Sequence, residues 1–177
     1  MDEWIVALLH SIYPTIHSRI LASRMNSMKR LIGVIGASHC SSEIYEQARK
    51  VGAEIARVGA VLVCGGLGGV MEAACRGARE TGGLTIGILP GTDKKEANEY
   101  VDIPLVTGLR DARNAIIART VDGLIGVSGE YGTLSEIAFA KKFGKPVISL
   151  KSWSFDSTIP QAEEAEQAVA LLLGLLK

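Results

Sequence analysis

The chain has 177 residues, 47% hydrophobic and 21% charged, and its 19 basic and 19 acidic side chains cancel to a net charge of zero. These proportions exclude a disordered chain, and the length makes one domain the expectation. The charge balance excludes a whole-chain basic footprint for nucleic acid or an anionic membrane, and no run reaches the roughly 18 apolar residues that span a bilayer. Cys40, Cys64 and Cys75 lack CxxC spacing and read as reduced thiols, the pattern of a cytoplasmic protein. With His10, His17 and His39 as the only histidines, no metal site is expected.

In chain order, residues 1–27 stand apart. Trp4, Ile5, Leu8, Leu9, Ile12, Ile16, Ile20 and Leu21 recur at helical spacing, interrupted by Pro14. Asp2 and Glu3 replace the basic start of a signal peptide, and His10, Ser11 and Tyr13 break its apolar core. The stretch reads as an extension, either a helical docking segment or disordered, and Met28 offers an alternative start.

From residue 28 to 177 the pattern is a single β-α-β domain. Leu31–Ile35 is a short branched apolar run, as in a parallel strand buried on both faces. Ser41 or Ser42 caps a helix with Ile44, Ala48, Val51, Ile55 and Val58 on one face. Ala60–Cys64 is the second strand, the glycine run 65–69 follows, and Val70–Thr81 is helical. Leu84–Leu89 is the third strand and 92–100 a loop. Ile103–Val106 is a weak strand because of Pro104, and Arg110–Thr120 is helical. Gly123–Val127 is a strand, and residues 128–133 turn into a helix ending near Phe143, with Gly144 just past it. Pro146–Leu150 is the next strand, and Pro160 opens a last helix. Such alternation implies an α/β fold: a doubly wound, mostly parallel sheet in three αβα layers.

Ligands of such folds bind beyond the carboxyl ends of the strands. Three of those ends here are glycine-bearing: Gly36-Ala37-Ser38, Gly65 to Gly69, and Gly129 to Gly132. Glycine admits close backbone approach, and a helix N-terminus attracts anions, so the second and third loops read as phosphate cradles or simply as tight turns. Thr133 either caps its helix or bonds a phosphate oxygen. Arg110 and Arg113 share a helix face at i, i+3, where guanidinium forks suit phosphate. Arg119 either joins them or is solvated. Glu136 and Glu72 each stand three residues into a helix, as cap partners or as carboxylates at the cleft. Glu130 would repel a phosphate, so its side chain points outward or the loop takes another group.

Other chemistries are disfavoured. A Walker loop needs a Lys that neither loop has. The GxGxxG fingerprint and its ribose-binding acid are missing, since Cys64-Gly65 stand where the acid belongs. Gly126-Val127-Ser128-Gly129-Glu130 fails the nucleophile-elbow pattern at its last position.

Gly65-Gly66-Leu67-Gly68-Gly69-Val70-Met71-Glu72, Arg110-Asp111-Ala112-Arg113-Asn114 and Ser128-Gly129-Glu130-Tyr131-Gly132-Thr133-Leu134-Ser135-Glu136 resemble the Lonely Guy-like (SLOG) Rossmann superfamily over about Lys29 to Leu150. That group includes cytokinin-activating phosphoribohydrolases, proteins once labelled lysine decarboxylases, DNA-processing proteins and molybdenum cofactor carriers. The GEYGTLSEIA run looks most like a branch near the carriers. The resemblance implies a modified Rossmann, nucleotide-binding domain. It carries catalytic roles onto Arg113 and Glu136. It matches Gly129, Gly132 and Thr133 to phosphate-loop positions, and with the loops at the strand ends the expected ligand contacts are Gly36, Ala37, Ser38, Gly65, Gly66, Gly68, Gly69, Met71, Glu72, Asn114, Gly129, Glu130, Tyr131, Gly132 and Thr133.

The hydrolase pattern PGGxGTxxE is altered to Ser128-Gly129-Glu130, and MHxRK to Arg110-Asp111 with Asn114 for the Lys. The expectation is therefore a protein that binds a phosphorylated nucleotide- or pterin-like ligand, with nucleoside 5′-monophosphate phosphoribohydrolase as the alternative. No cofactor is expected to be required. A nucleotide monophosphate or molybdenum cofactor is the implied bound ligand, and nucleic acid and membrane are not expected partners. The family also implies a homodimer or higher homo-oligomer. Ile116, Ile117, Ile137, Phe139 and Phe143 supply apolar surface either for that contact or for packing on the sheet.

Overall fold

The computed structural model describes residues 29–153 and 155–176; the expected extension over 1–27 lies outside them. Seven strands pair in parallel: β1 (Leu31–Ile35), β2 (Val61–Cys64), β3 (Thr85–Leu89), β4 (Ile103–Val106), β5 (Gly123–Val127), β6 (Val147–Leu150) and β7 (Gln161–Ala162). Their order across the sheet is β4-β3-β2-β1-β5-β6-β7. Five helices connect them: α1 (Ser42–Arg57), α2 (Val70–Glu80), α3 (Arg113–Thr120), α4 (Tyr131–Lys142) and α5 (Ala165–Leu175).

Strands β1, β2, β3, β5 and β6 are largely buried on both faces, so nearly every position in them is apolar, whereas the edge strand β4 is mostly exposed. Successive side chains alternate between two cores. Ile32, Val34, Leu62, Cys64, Ile125, Val127, Ile148 and Leu150 pack with α1, α2 and α5. Ile35, Val63, Leu124 and Val147 pack with α3 and α4 on the opposite face. The expected three layers follow. Ile117 and Ile137 are fully buried in this second core, so they pack on the sheet; Ile116 remains exposed.

Local signals explain most boundaries. The Ser41 hydroxyl accepts the Ile44 N–H at 3.3 Å and starts α1. Gly144, at φ 70°, ends α4 in the left-handed conformation that favours glycine. Pro104 lies in β4, which among the described residues pairs only with β3 and so forms an edge that tolerates a missing N–H. Helices α1 and α2 meet backbone to backbone. A Cβ on Gly52 would strike the Ala74 carbonyl, and one on Gly77 the Arg49 carbonyl.

Two expectations are corrected. Pro160 does not open the last helix: its carbonyl accepts the Ser149 N–H at 3.0 Å, and the next residues form β7 at the sheet edge. The helix waits until Ala165, after the Gln167 side chain accepts the Glu163 N–H at 2.9 Å. Residues 110–112 are a 3-10 turn rather than the first turn of α3. The Arg110 N–H is held by the Pro90 carbonyl at 2.9 Å, and Arg110 is forced to φ 49°. Arg110 and Arg113 therefore share no helix face.

The chain runs outward from β1 to β4, then returns to place β5 against the other side of β1. Ile35 stands opposite Gly126. The loops after β1 and β5 thus diverge at a topological switch point, where open α/β sheets hold their ligands.

Candidate functional site

A cleft of about 180 Å³ opens at that point. Its walls come from the end of β1 (Ile35 to Ser38), the loop after β2 (Gly65, Leu67), Met71 of α2, Asp111, Arg113 and Asn114 around the start of α3, and Glu130, Gly132, Thr133 and Glu136 around the start of α4.

The floor is built from polar groups the fold buries. Arg113 is 8% exposed, Glu136 6% and Thr133 3%. The Arg113 Nη1 donates to Glu136 Oε1 at 3.2 Å, while its buried Nε has no partner among the described residues. Burial pushes the Glu136 carboxyl up to about 7, with the Arg113 charge and hydrogen bond pulling the other way. The carboxylate therefore pairs with Arg113 rather than capping its own helix. Gly65 makes room for this pair: a Cβ there would lie 2.5 Å from Arg113 Nη2.

Helix α4 points its N-terminus into the cleft. Glu130 is the N-cap residue, but no side chain caps the helix. Among the described residues the backbone N–H groups of Gly132 and Thr133 have no acceptor. Gly129, at φ 117°, lies where any Cβ would meet the Thr133 side chain, so the turn needs glycine. Asn114 of α3 braces this turn. Its Nδ2 donates to Ser135 Oγ at 3.0 Å, and that hydroxyl donates to the Gly132 carbonyl at 2.7 Å.

The β2 loop behaves differently. Gly69 (φ 61°) approaches Ala37 and Ser38 so closely that the Val70 N–H reaches the Ala37 carbonyl at 3.1 Å. The start of α2 is thus occupied by the protein's own backbone. The Gly66 N–H donates to Cys64 Sγ at 3.3 Å, and Asn98 Nδ2 donates to the Gly66 and Leu67 carbonyls. Cys64 and Cys75 are both buried free thiols, with sulfurs 3.4 Å apart.

The structure therefore brings together eleven of the residues singled out in the sequence: Gly36, Ala37, Ser38, Gly65, Met71, Arg113, Asn114, Glu130, Gly132, Thr133 and Glu136. Gly66, Gly68 and Gly69 instead shape the loop against neighbouring backbone. Glu72 accepts the Tyr45 hydroxyl at 3.1 Å and does not line the cleft. Tyr131 is 80% exposed and tilts against Trp153, and Arg119 lies over the Phe143 ring at 3.8 Å. Glu130 is exposed and is among the residues that line the cleft. Ile35, Leu67 and Asp111 were not singled out as ligand contacts. Their signal was adjacency, since each flanks a chosen residue.

Unpaired N–H donors beside a buried guanidinium suit an oxyanion, and a carboxyl poised near neutrality suits proton exchange. The fold and cleft define a Rossmann-like α/β protein with an anion-suited site at the sheet's switch point.

The chain belongs to the SLOG cluster4 family, whose model matches residues 29–173. It is similar to a molybdenum cofactor binding protein from Rippkaea orientalis: 36% identity, TM-score 0.80, covering 85% of this chain and 100% of that one. The molybdenum cofactor carrier protein of Chlamydomonas reinhardtii also matches, at 36% identity and TM-score 0.77, over 84% of this chain and 99% of that one. The cytokinin riboside 5′-monophosphate phosphoribohydrolase of Mycobacterium tuberculosis is 35% identical over 66% of this chain and 67% of its own length. Among the described residues no helix is long and apolar enough to cross a membrane.

Proposed function

We propose that this protein binds a phosphorylated nucleotide- or pterin-type ligand, in the manner of a molybdenum cofactor carrier. The observation that carries this reading is the uncapped α4 N-terminus facing the cleft beside the unpartnered Arg113 Nε. A phosphate there would accept the Gly132 and Thr133 N–H groups with Arg113 beneath it. These donors fit the phosphate of a pterin cofactor, so the protein would grip such cargo by its phosphate end. The similarity to cofactor-binding and carrier proteins supports the same class of ligand. Assembly of several copies belongs to the proposal, with exposed Ile116 as the residue to probe.

A second reading is phosphoribohydrolase activity, favoured by the Arg113–Glu136 pair and the carboxyl poised near 7. Glu136 would take a proton from the attacking water as an oxocarbenium-like sugar develops, with Arg113 holding the ionised carboxylate in place.

One experiment separates them. The purified protein is incubated with nucleoside 5′-monophosphates while free base and melting temperature are followed. Raised melting temperature without free base is the expected result. Base release that vanishes in Glu136→Gln would establish the hydrolase, and neither effect would reject both.

A further inference from the structure

The cleft carries more negative charge than a phosphate site needs. Asp111 and Glu130 both line it, both are exposed, and neither side chain is paired among the described residues. The buried floor, by contrast, holds Arg113, nine-tenths buried with an orphaned Nε. Arg113 and Thr133 are buried, whereas Gly132 and the two carboxylate-bearing residues are exposed.

Size makes that division matter. Pockets that enclose drug-sized ligands start at about 300 Å³. A cleft of about 180 Å³ would take the phosphate and part of the sugar of a bound nucleotide, leaving its ring to extend across the rim. There it meets the carboxylates of Asp111 and Glu130, which only accept hydrogen bonds, beside the Ser38 hydroxyl, which can do either.

We propose that Asp111 and Glu130 read the ring, and that they select an edge of adjacent N–H donors: the 2-amino-4-oxopyrimidine edge shared by guanine and pterin. The inference rests on the phosphate-binding reading of the cleft. A carboxylate's two oxygens match the ring N–H and the neighbouring amino group, giving two charge-assisted bonds. An adenine edge presents one donor beside one acceptor, and the acceptor's lone pair faces a carboxylate oxygen. Hypoxanthine keeps the ring N–H and loses the amino group, so it should fall between them. The carboxylates also explain how a site can hold an anion deep and repel it at the mouth: a free phosphate finds a negative rim, and a phosphate joined to the right ring finds partners.

Calorimetric titration in EDTA with GMP, IMP, AMP and ribose 5-phosphate tests this. GMP should bind about tenfold more tightly than IMP, and more tightly still than AMP. Asp111→Asn or Glu130→Gln should shrink the GMP-to-AMP ratio about tenfold and raise affinity for ribose 5-phosphate by removing a negative charge. A phosphorylated 6-substituted pterin should displace GMP; which of the two binds more tightly tells a pterin site from a guanine one. Equal binding of GMP and AMP, or a ratio untouched in both variants, would overturn the assignment while leaving phosphate binding intact. Selectivity that appears only on adding Mg²⁺ would also overturn it, in favour of a metal bridge between carboxylate and phosphate. If ribose 5-phosphate and every nucleotide fail to bind, the phosphate reading falls and this inference with it.

Discussion

Arg113 and Glu136 meet at 3.2 Å between α3 and α4, and each is more than nine-tenths buried. A pair removed this far from water costs desolvation, which favours the neutral form of the Glu136 carboxyl while the Arg113 charge favours the ionised one.

The first consequence is a pH dependence. Burial raises the Glu136 carboxyl from an unfolded value near 4.5 to about 7. The folded state binds the proton more tightly, so this contribution is fully present below about pH 4.5 and is lost as pH rises through about 7. The difference is on the order of 3 kcal/mol, or about 10 °C in melting temperature. Wild type should lose that much relative to Glu136→Gln between pH 4.5 and 8.5 in thermal scans.

Removing the other partner should move the carboxyl further. Arg113→Met takes away the only charge among the described residues that pulls the Glu136 titration down. A carboxyl ¹³C shift titration should place its midpoint above the wild-type value. Affinity for ribose 5-phosphate should fall at least tenfold.

Gly65→Ala tests the space that admits the guanidinium. The new Cβ would sit 2.5 Å from Arg113 Nη2, so the buried head group must shift. We expect a loss of roughly 1–3 kcal/mol in denaturant unfolding, together with weaker phosphate binding.

Gly132→Ala separates binding from folding. Nothing lies within 4 Å of a Cβ there, and Ala favours the helix by up to about 1 kcal/mol. Melting temperature should hold or rise slightly. Phosphate affinity should drop, because the methyl stands beside the N–H groups that face the cleft.

Gly77→Ala should be the most damaging to the fold. Its methyl would strike the Arg49 carbonyl across the α1–α2 contact, where backbone cannot yield as a side chain can. A loss of roughly 3 kcal/mol is expected in urea unfolding, with the cleft residues themselves untouched.

Much of the fold was legible because punctuation and period agree. Gly36, Gly65, Pro90, Gly123 and Gly144 bracket apolar runs too short for helices, and the intervening segments carry helical faces. What escaped was set by partners distant in sequence. Pro160 looks like a helix opener until Ser149 supplies a sheet neighbour. Arg110 looks helical until Pro90 fixes its N–H. The site divides in the same way. Arg113, Glu136 and the start of α4 were recognisable from motif spacing. That Gly66, Gly68 and Gly69 serve the backbone, and that Glu72 bonds Tyr45, depends on which side of a loop faces the cleft, and spacing carries no such information.

The glycine crossing of α1 and α2 has a consequence for how this cleft can change. With Gly52 and Gly77 holding the two helices carbonyl against Cα, the loops that lead into them cannot drift apart without separating both. The first half of the sheet is therefore an anvil of fixed shape. Novelty in ligand choice has to be written on the other side, in the short stretches 110–114 and 128–136, where a handful of side chains can be exchanged without disturbing the frame that presents them.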